Sequence, residues 1–300
     1  MSLAEGVAAE LELEAPSGLW RDAWERLRRN PGAIIGFIIL LGFLMMAFFA
    51  GAIAPFSPSD TPGGLDVTPP GPTGDFIFGL DEQGRDLFSR IVYGTRLSLL
   101  VGLVSVAVGL SLGMLLGSLA GYFGGWVDTL IMRLMDVMLA FPGFLLAVGL
   151  VTVLGRGLWQ IMLAVGITNV PIFARLLRGS ILSQRESDYV LAARSVGTPG
   201  RRMLLVHILP NSLAPVIVQA TLAMATAIID VAGLSFVGLG PQDPGLPEWG
   251  KILADNASRL EASSHLVIFP GFAIVLSVLA LNLIGDGLRE AIDPKLRKSG

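Results

Sequence analysis

The sequence predicts an all-α polytopic membrane protein: six transmembrane helices, with a cytoplasmic two-helix loop between the fourth and the fifth. Three observations predict it. Of 300 residues 53% are apolar and only 15% charged, against about a quarter charged in soluble domains, and mean hydropathy is +0.69. Uncharged apolar runs long enough to cross a bilayer as helix recur along the chain. Between two of them stands a polar, basic stretch, DYVLAARSVGTPGRRMLLVHILPN from Asp188 to Asn211, with the signals of a helix, a break and a second helix.

Composition also excludes functions. A net charge of −3 and a pI near 5.4 give no basic field for nucleic acid. The absence of cysteine removes disulfides, thiolate metal sites and cysteine nucleophiles, and the two histidines, His207 and His265, stand far apart in sequence. Neither HExxH nor GxxxxGK[ST] occurs, so no metal site, intramembrane metalloenzyme or self-contained ATPase is expected.

Residues 1–18, rich in Ala and Glu, read as a disordered tail. In residues 19–31 the pattern Leu19, Trp20, Ala23, Trp24, Leu27, with Arg21, Arg26, Arg28 and Arg29 between, describes an amphipathic helix on the cytoplasmic membrane surface. Residues 32–300 read as the transmembrane domain. Ala33 to Ala54 carries no charge and as helix would extend about 33 Å, one bilayer. Ala52-Ile53-Ala54 imitates a signal-peptidase site, but the run exceeds the roughly 7–15 residues of a signal peptide's apolar region, which favours an uncleaved anchor.

Residues 55–96 read as an extracytoplasmic loop, irregular at first and ending in an interfacial helix around Leu87, Phe88, Ile91 and Val92. The second span lies in the uncharged run Leu97 to Val127, where Ser105, Gly109, Gly113, Gly117 and Gly121 recur every four residues, a small-residue stripe that lets two helices approach closely. Asp128, Arg133 and Asp136 precede the third run, Val137 to Gly155. Arg133 and Asp136 can pair at i, i+3, as interfacial anchors or, if deeper, as a functional pair. Gly157 to Ala174, Ile208 to Ile229 and Leu266 to Gly285 complete the six, with a second extracytoplasmic loop at 241–264 holding a short helix around Trp249, Ile252 and Leu253.

The central loop, about 184–210, is more ordered than a connector requires. Tyr189, Ala192, Ala193 and Val196 form one apolar helical stripe, with Ser187 or Asp188 available as N-cap. Gly197 fits the left-handed C′ position, and Thr198-Pro199 reads as an N-cap followed by a first-turn proline of a second helix running toward Pro210. Arg194, Arg201 and Arg202 ring the break. With the N terminus inside, 15 of the 21 Lys and Arg residues fall on the cytoplasmic side, which places this loop there. A basic loop can be a topological connector alone; the caps at its centre point to a docking element.

Elsewhere chemistry is sparse. Asp230, late in an apolar run, would either line a water-filled path together with Asn169 or sit near the outer interface. No constellation for covalent or acid–base catalysis occurs, so no catalytic residue is assigned.

The loop resembles the EAA signature of ATP-binding-cassette (ABC) importer permeases: Glu-Ala-Ala, three residues, Gly, nine residues, then an aliphatic residue, any residue and Leu-Pro. Ala192, Ala193, Gly197, Leu209 and Pro210 match it; Leu191 stands at the glutamate position and His207 at the aliphatic one. The HILPN ending, with GLDEQGRDLFSRIVYGTRLSL, LSFVGLG and NLIGDGLREAIDPKLR, is similar to the dipeptide, oligopeptide and nickel branch, specifically its C-type subunit, from Leu19 onward. The resemblance implies a type I ABC importer permease fold in a bacterial or archaeal cytoplasmic membrane, both termini cytoplasmic. It implies a heterodimer with a homologous second permease, two cytoplasmic ATPase subunits that hold ATP and Mg, an extracytoplasmic substrate-binding protein, and peptides or related solutes, nickel chelates among them, as cargo. Coupling to the ATPases would fall to Asp188, Tyr189, Leu191, Ala192, Ala193, Arg194, Val196, Gly197, His207, Leu209 and Pro210. An ion-coupled secondary carrier using Asp230 or the Arg133/Asp136 pair, and a structural or channel subunit, are the competing classes.

Overall fold

The computed structural model describes residues 19–64 and 71–292. The tail expected to be disordered and the basic residues after the last helix lie outside them. Helix α1, Leu19–Leu27, turns Ala23 and Leu27 against Ala33 and Ala291. Asn30 then caps α2, Pro31–Phe48, its side-chain oxygen accepting from the Ala33 amide at 3.0 Å with Pro31 in the first turn. The run expected to cross as one helix to Ala54 breaks at Phe49, and a separate turn, Ala50–Ile53, follows. The Arg96 guanidinium donates to the Ala47 and Phe48 carbonyls, satisfying helix-end acceptors.

Helix α3 is Leu87–Phe123, capped by Asp86, whose carboxylate accepts from the Ser89 amide at 2.8 Å. The expected interfacial helix and second span are therefore one rod of 37 residues, about 55 Å long against about 30 Å of hydrocarbon. No proline or glycine pair interrupts Leu87 to Phe123; the rod stops at Gly124 and Gly125, with successive φ of +66° and +57°.

The third apolar run is not one helix. Helices α4, Gly125–Leu139, and α5, Gly143–Leu154, meet at 92°. Pro142 disfavours a helical residue before it and lacks the amide that would continue the ladder. In addition, Asp128 pairs with Arg178 and Asp136 with Arg175, binding α4 to the side of α6, Leu158–Arg185. Asp136 thus takes Arg175 in place of the expected Arg133. Helix α6 also runs beyond Ala174, the expected end of the fourth run, straight through Pro171.

After the central loop come α8, Ala214–Leu234, extended by a π turn at Ser235–Leu239 in which Gly238 has φ +78°; α9, Trp249–Asn256; and α10, His265–Ile292. Among the described residues α2, α3, α6, α8 with its extension, and α10 are each long and apolar enough to cross a membrane, and the α4–α5 pair is the sixth stretch if its bend lies within one crossing.

Glycine fixes the central seam. A methyl group at Gly109 would lie 2.7 Å from the Gly166 carbonyl oxygen, at Gly113 2.8 Å from that of Val170, at Gly117 2.5 Å from that of Ala174, and at Gly121 3.1 Å from Ile181 Cβ. The stripe therefore lies backbone-to-backbone on α6, with Ser105 opposite Gly166. One core forms around this seam from Val101, Ile161, Met162, Phe173, Leu177 and Val231; a second joins Phe43, Leu87, Trp249, Leu266 and Leu281.

Candidate functional site: the ordered loop between α6 and α8

Helix α7, Asp188–Ser195, carries the loop. Its end is a complete Schellman motif: the Thr198 amide donates to the Ala193 carbonyl at 3.1 Å and the Gly197 amide to that of Arg194 at 3.0 Å, with Gly197 at φ +78°. Asp188 in the first turn and Arg194 in the last both suit the helix dipole. Ser187 occupies the N-cap position but its hydroxyl donates to the Gln184 carbonyl at 2.6 Å instead of accepting from α7.

The second helix starts one residue later than expected. Thr198 is consumed by the Schellman motif, so Pro199, extended at ψ 144°, is the cap residue and Gly200–Arg202 the first turn. The helix also passes Pro210 instead of stopping at it. A π turn over Met203–Ile208, in which the Leu209 amide bonds the Leu204 carbonyl, widens the backbone ahead of the proline, and Leu209–Ser212 follows.

Val190 is fully buried and Ala193 packs beside it on the main core, so these two seat α7 on the body. The expected stripe therefore divides. Ala193 turns inward; Tyr189, Leu191, Ala192 and Val196 are exposed, Val196 to 83%. Arg194, Arg201, Arg202 and Pro210 are exposed too, while Leu209 is half-buried against the core. This leaves small and medium apolar side chains, rimmed by arginine, on an ordered helix facing away from the body.

Tyr189 ties the loop together. Its hydroxyl lies 2.8 Å from Gln184 Oε1 and 3.2 Å from the His207 carbonyl, and Asn211 Nδ2 donates to that carbonyl at 2.7 Å. His207 thus contributes its backbone, not its ring, to the clasp. Below, Arg185 donates to the Gly121 and Tyr122 carbonyls at 3.0 and 3.1 Å, closing the C-terminal end of α3. Movement of α7 would accordingly be felt by α3, α6 and α8.

The proposed path residues fare differently. Asn169 is buried in the α3–α6 seam, donating to the Val165 carbonyl at 2.9 Å with its Cβ against Gly109, so it does not line an open path. The close glycine approach draws it in. Asp230 is half-buried on α8.

A polar cluster at the opposite end of α3 was not singled out from the sequence. Asp81 accepts from the Arg85 amide at 3.0 Å and its guanidinium at 2.7 Å, Arg85 donates onward to the Pro244 carbonyl at 2.9 Å, and Arg90 lies 3.6 Å from Asp81. Buried Glu248 caps α9 through the Gly250 and Lys251 amides at 2.8 and 2.7 Å; burial nevertheless holds its carboxyl above the usual range. Trp249 donates from Nε1 to the Ile91 carbonyl at 3.0 Å. The i, i+4 spacing of Asp81 and Arg85 was the available signal. These contacts make the segment before α3 and the loop at 241–264 one plate.

Comparison with known proteins matches the sequence to a family. The model of binding-protein-dependent transport system inner membrane components matches residues 113–298, and that of the N-terminal transmembrane domain of oligopeptide transport permease C matches residues 18–70. The chain is 48% identical to the dipeptide transport system permease protein DppC of Alkalihalophilus pseudofirmus, over 93% of this chain and 90% of that one. It is 45% identical to the di/tripeptide permease DppC of Pseudomonas aeruginosa, over 97% of both, and 44% to the glutathione permease GsiD of Shigella flexneri, over 93% and 91%. A solved structure of the inward-facing MetNI methionine ABC transporter aligns with a TM-score of 0.56 at 18% identity, covering 68% of this chain and 96% of that one, a likeness of fold.

Proposed function

We propose that this chain, which belongs to the family of binding-protein-dependent transport system inner membrane components, transmits ATP-driven movement to the membrane through α7. It is a C-type permease subunit of an ABC peptide importer, a multi-pass inner-membrane protein, and it is not itself the catalytic subunit. In our reading it pairs with a homologous second permease, docks two ATPase subunits that bind ATP and Mg, and receives cargo from an extracytoplasmic binding protein. Its α6–α8 loop and both termini face the cytoplasm. The relatives' names favour short peptides over nickel chelates as that cargo.

The observation that supports this best is α7: capped at Gly197, seated by Val190, and presenting Leu191, Ala192 and Val196 outward. With Leu191 at the signature's glutamate position, α7 engages by apolar fit flanked by Asp188, Arg194, Arg201 and Arg202. Affinity purification of the tagged chain from its host tests the assignment. Recovery of two ATPase copies and a second permease with wild type, and loss of the ATPases alone with Val196→Asp, is expected. Full ATPase recovery with Val196→Asp would remove α7 as the dock.

A further inference from the structure

The outer flank of α1 and the exposed face of α2 enclose a groove of about 240 Å³ lined by Trp24, Leu27, Ile34, Phe37, Ile38 and Leu41, with Arg28 at one end. Everything in it except Arg28 is apolar. Its walls are fixed: Ala23 and Leu27 pack on Ala33 and Ala291, and Gly36 presses on the Ala280 carbonyl oxygen, where a methyl group would come within 2.7 Å, holding α2 on α10. Asn30 Nδ2 donates to Glu290 at 2.6 Å across the same junction. The turn between α1 and α2 is thereby held open as a cleft.

We propose that this groove is a binding site for one anionic phospholipid, its acyl chain along Ile34, Phe37, Ile38 and Leu41 and its phosphate on Arg28. The dimensions suit that occupant. Ile34 to Leu41 covers about 10 Å of helix axis, two-thirds of the roughly 15 Å depth of one hydrocarbon leaflet. The charge sits where a headgroup would, at the interfacial end, and Trp24 stands beside it as an interfacial ring. No carboxylate among the described residues pairs with Arg28, and the exposed Arg29 adjoins it. An uncharged helix of a partner subunit would fill the apolar length but leave Arg28 unanswered; a phospholipid meets both parts.

The lipid would brace α1 against α2, fixing the N-terminal end of the domain. This site does not rest on the transport reading, because its ligand is read out independently of ATP or cargo. The intact complex, reconstituted in nanodiscs of phosphatidylethanolamine and phosphatidylglycerol and re-extracted in mild detergent, is analysed by native mass spectrometry beside Arg28→Glu and Ile38→Trp. Wild type is expected to retain one phosphatidylglycerol per copy of this chain. Arg28→Glu should lower retention at least about fivefold, the order expected for losing one basic contact to an anionic lipid, and Ile38→Trp should abolish it by filling the groove. Arg28→Ala, which reverses no charge, serves if Arg28→Glu fails to assemble. Equal retention in wild type, Arg28→Ala and Ile38→Trp would overturn the proposal, as would a thiol at Ile38→Cys cross-linking quantitatively to another protein subunit.

Discussion

Gly197 and Tyr189 act on the same helix in different ways. At φ +78° with open space around its Cα, Gly197 is constrained by backbone conformation and not by packing. Gly197→Val therefore adds about 1–2 kcal/mol of left-handed strain and redirects the Gly200–Arg202 turn, so transport should fall while membrane insertion stays normal in a fractionation assay. Tyr189→Phe removes the hydroxyl between Gln184 and the His207 carbonyl, about 0.5–1.5 kcal/mol. It leaves the exposed ring for a partner. ATPase recovery should stay at wild-type level while transport per ATP hydrolysed drops; an unchanged ratio would mean that the clasp is incidental. Glu248 gives a pH test at the other end. Its carboxyl is held above its ordinary 4.5 by burial, so the folded plate binds the proton more tightly than the unfolded chain. That contribution is present below 4.5 and is lost as pH rises through the folded-state value. Glu248→Gln should flatten this fall, measured as thermal stability against pH in detergent, since the neutral amide does not titrate and its single oxygen still accepts from one of the Gly250 and Lys251 amides.

Helices succeed or fail as units, and here the small-residue stripe decides the most. Gly113→Leu or Gly117→Leu forces a branched side chain into space occupied by the α6 backbone, an overpacking cost of about 1–3 kcal/mol or more, and should cut the yield of assembled complex in size-exclusion chromatography. Assembly at wild-type yield in both would show that the seam can open without loss. The stripe and the Gly197 stop were legible because each rests on a local rule: four-residue spacing and a glycine at a helix end. The broken third stretch was less so. Apolarity from Val137 to Gly155 looks continuous, and the bend depends on Pro142 acting together with Arg175 and Arg178, which lie some forty residues on and whose pairing with Asp136 and Asp128 no periodicity announces. Asn169 was misread for a related reason: a polar residue in an apolar run suggests a path, yet its amide bonds its own helix inside a seam set by glycines on another.

At the scale of the molecule, two fixed plates are joined by long helices, with the α3 rod running from the Asp81–Arg85–Glu248 cluster to the seat of the loop at Gly121 and Tyr122. Membrane class and family could be read from composition and the signature. The polar cluster could not, since it assembles residues near 81–90 with others near 244–250. Four crossings before the loop should place it on the side of the N terminus, and six in all should put a reporter at Ser299 and one in the 60s on opposite faces; labelling of both from one face would break the six-crossing arrangement. The central claim is that α7 touches an ATPase. Because the chain has no cysteine, Val196→Cys supplies a single thiol at the C-cap of that helix, the most exposed apolar residue of the loop. Short-linker cross-linking of the assembled complex, read by mass spectrometry, should join this thiol to an ATPase subunit, with a yield that changes between nucleotide-free and ATP-bound complexes. A Val196→Cys complex that retains its ATPases and transports normally, yet never cross-links to them in either state, would contradict the account.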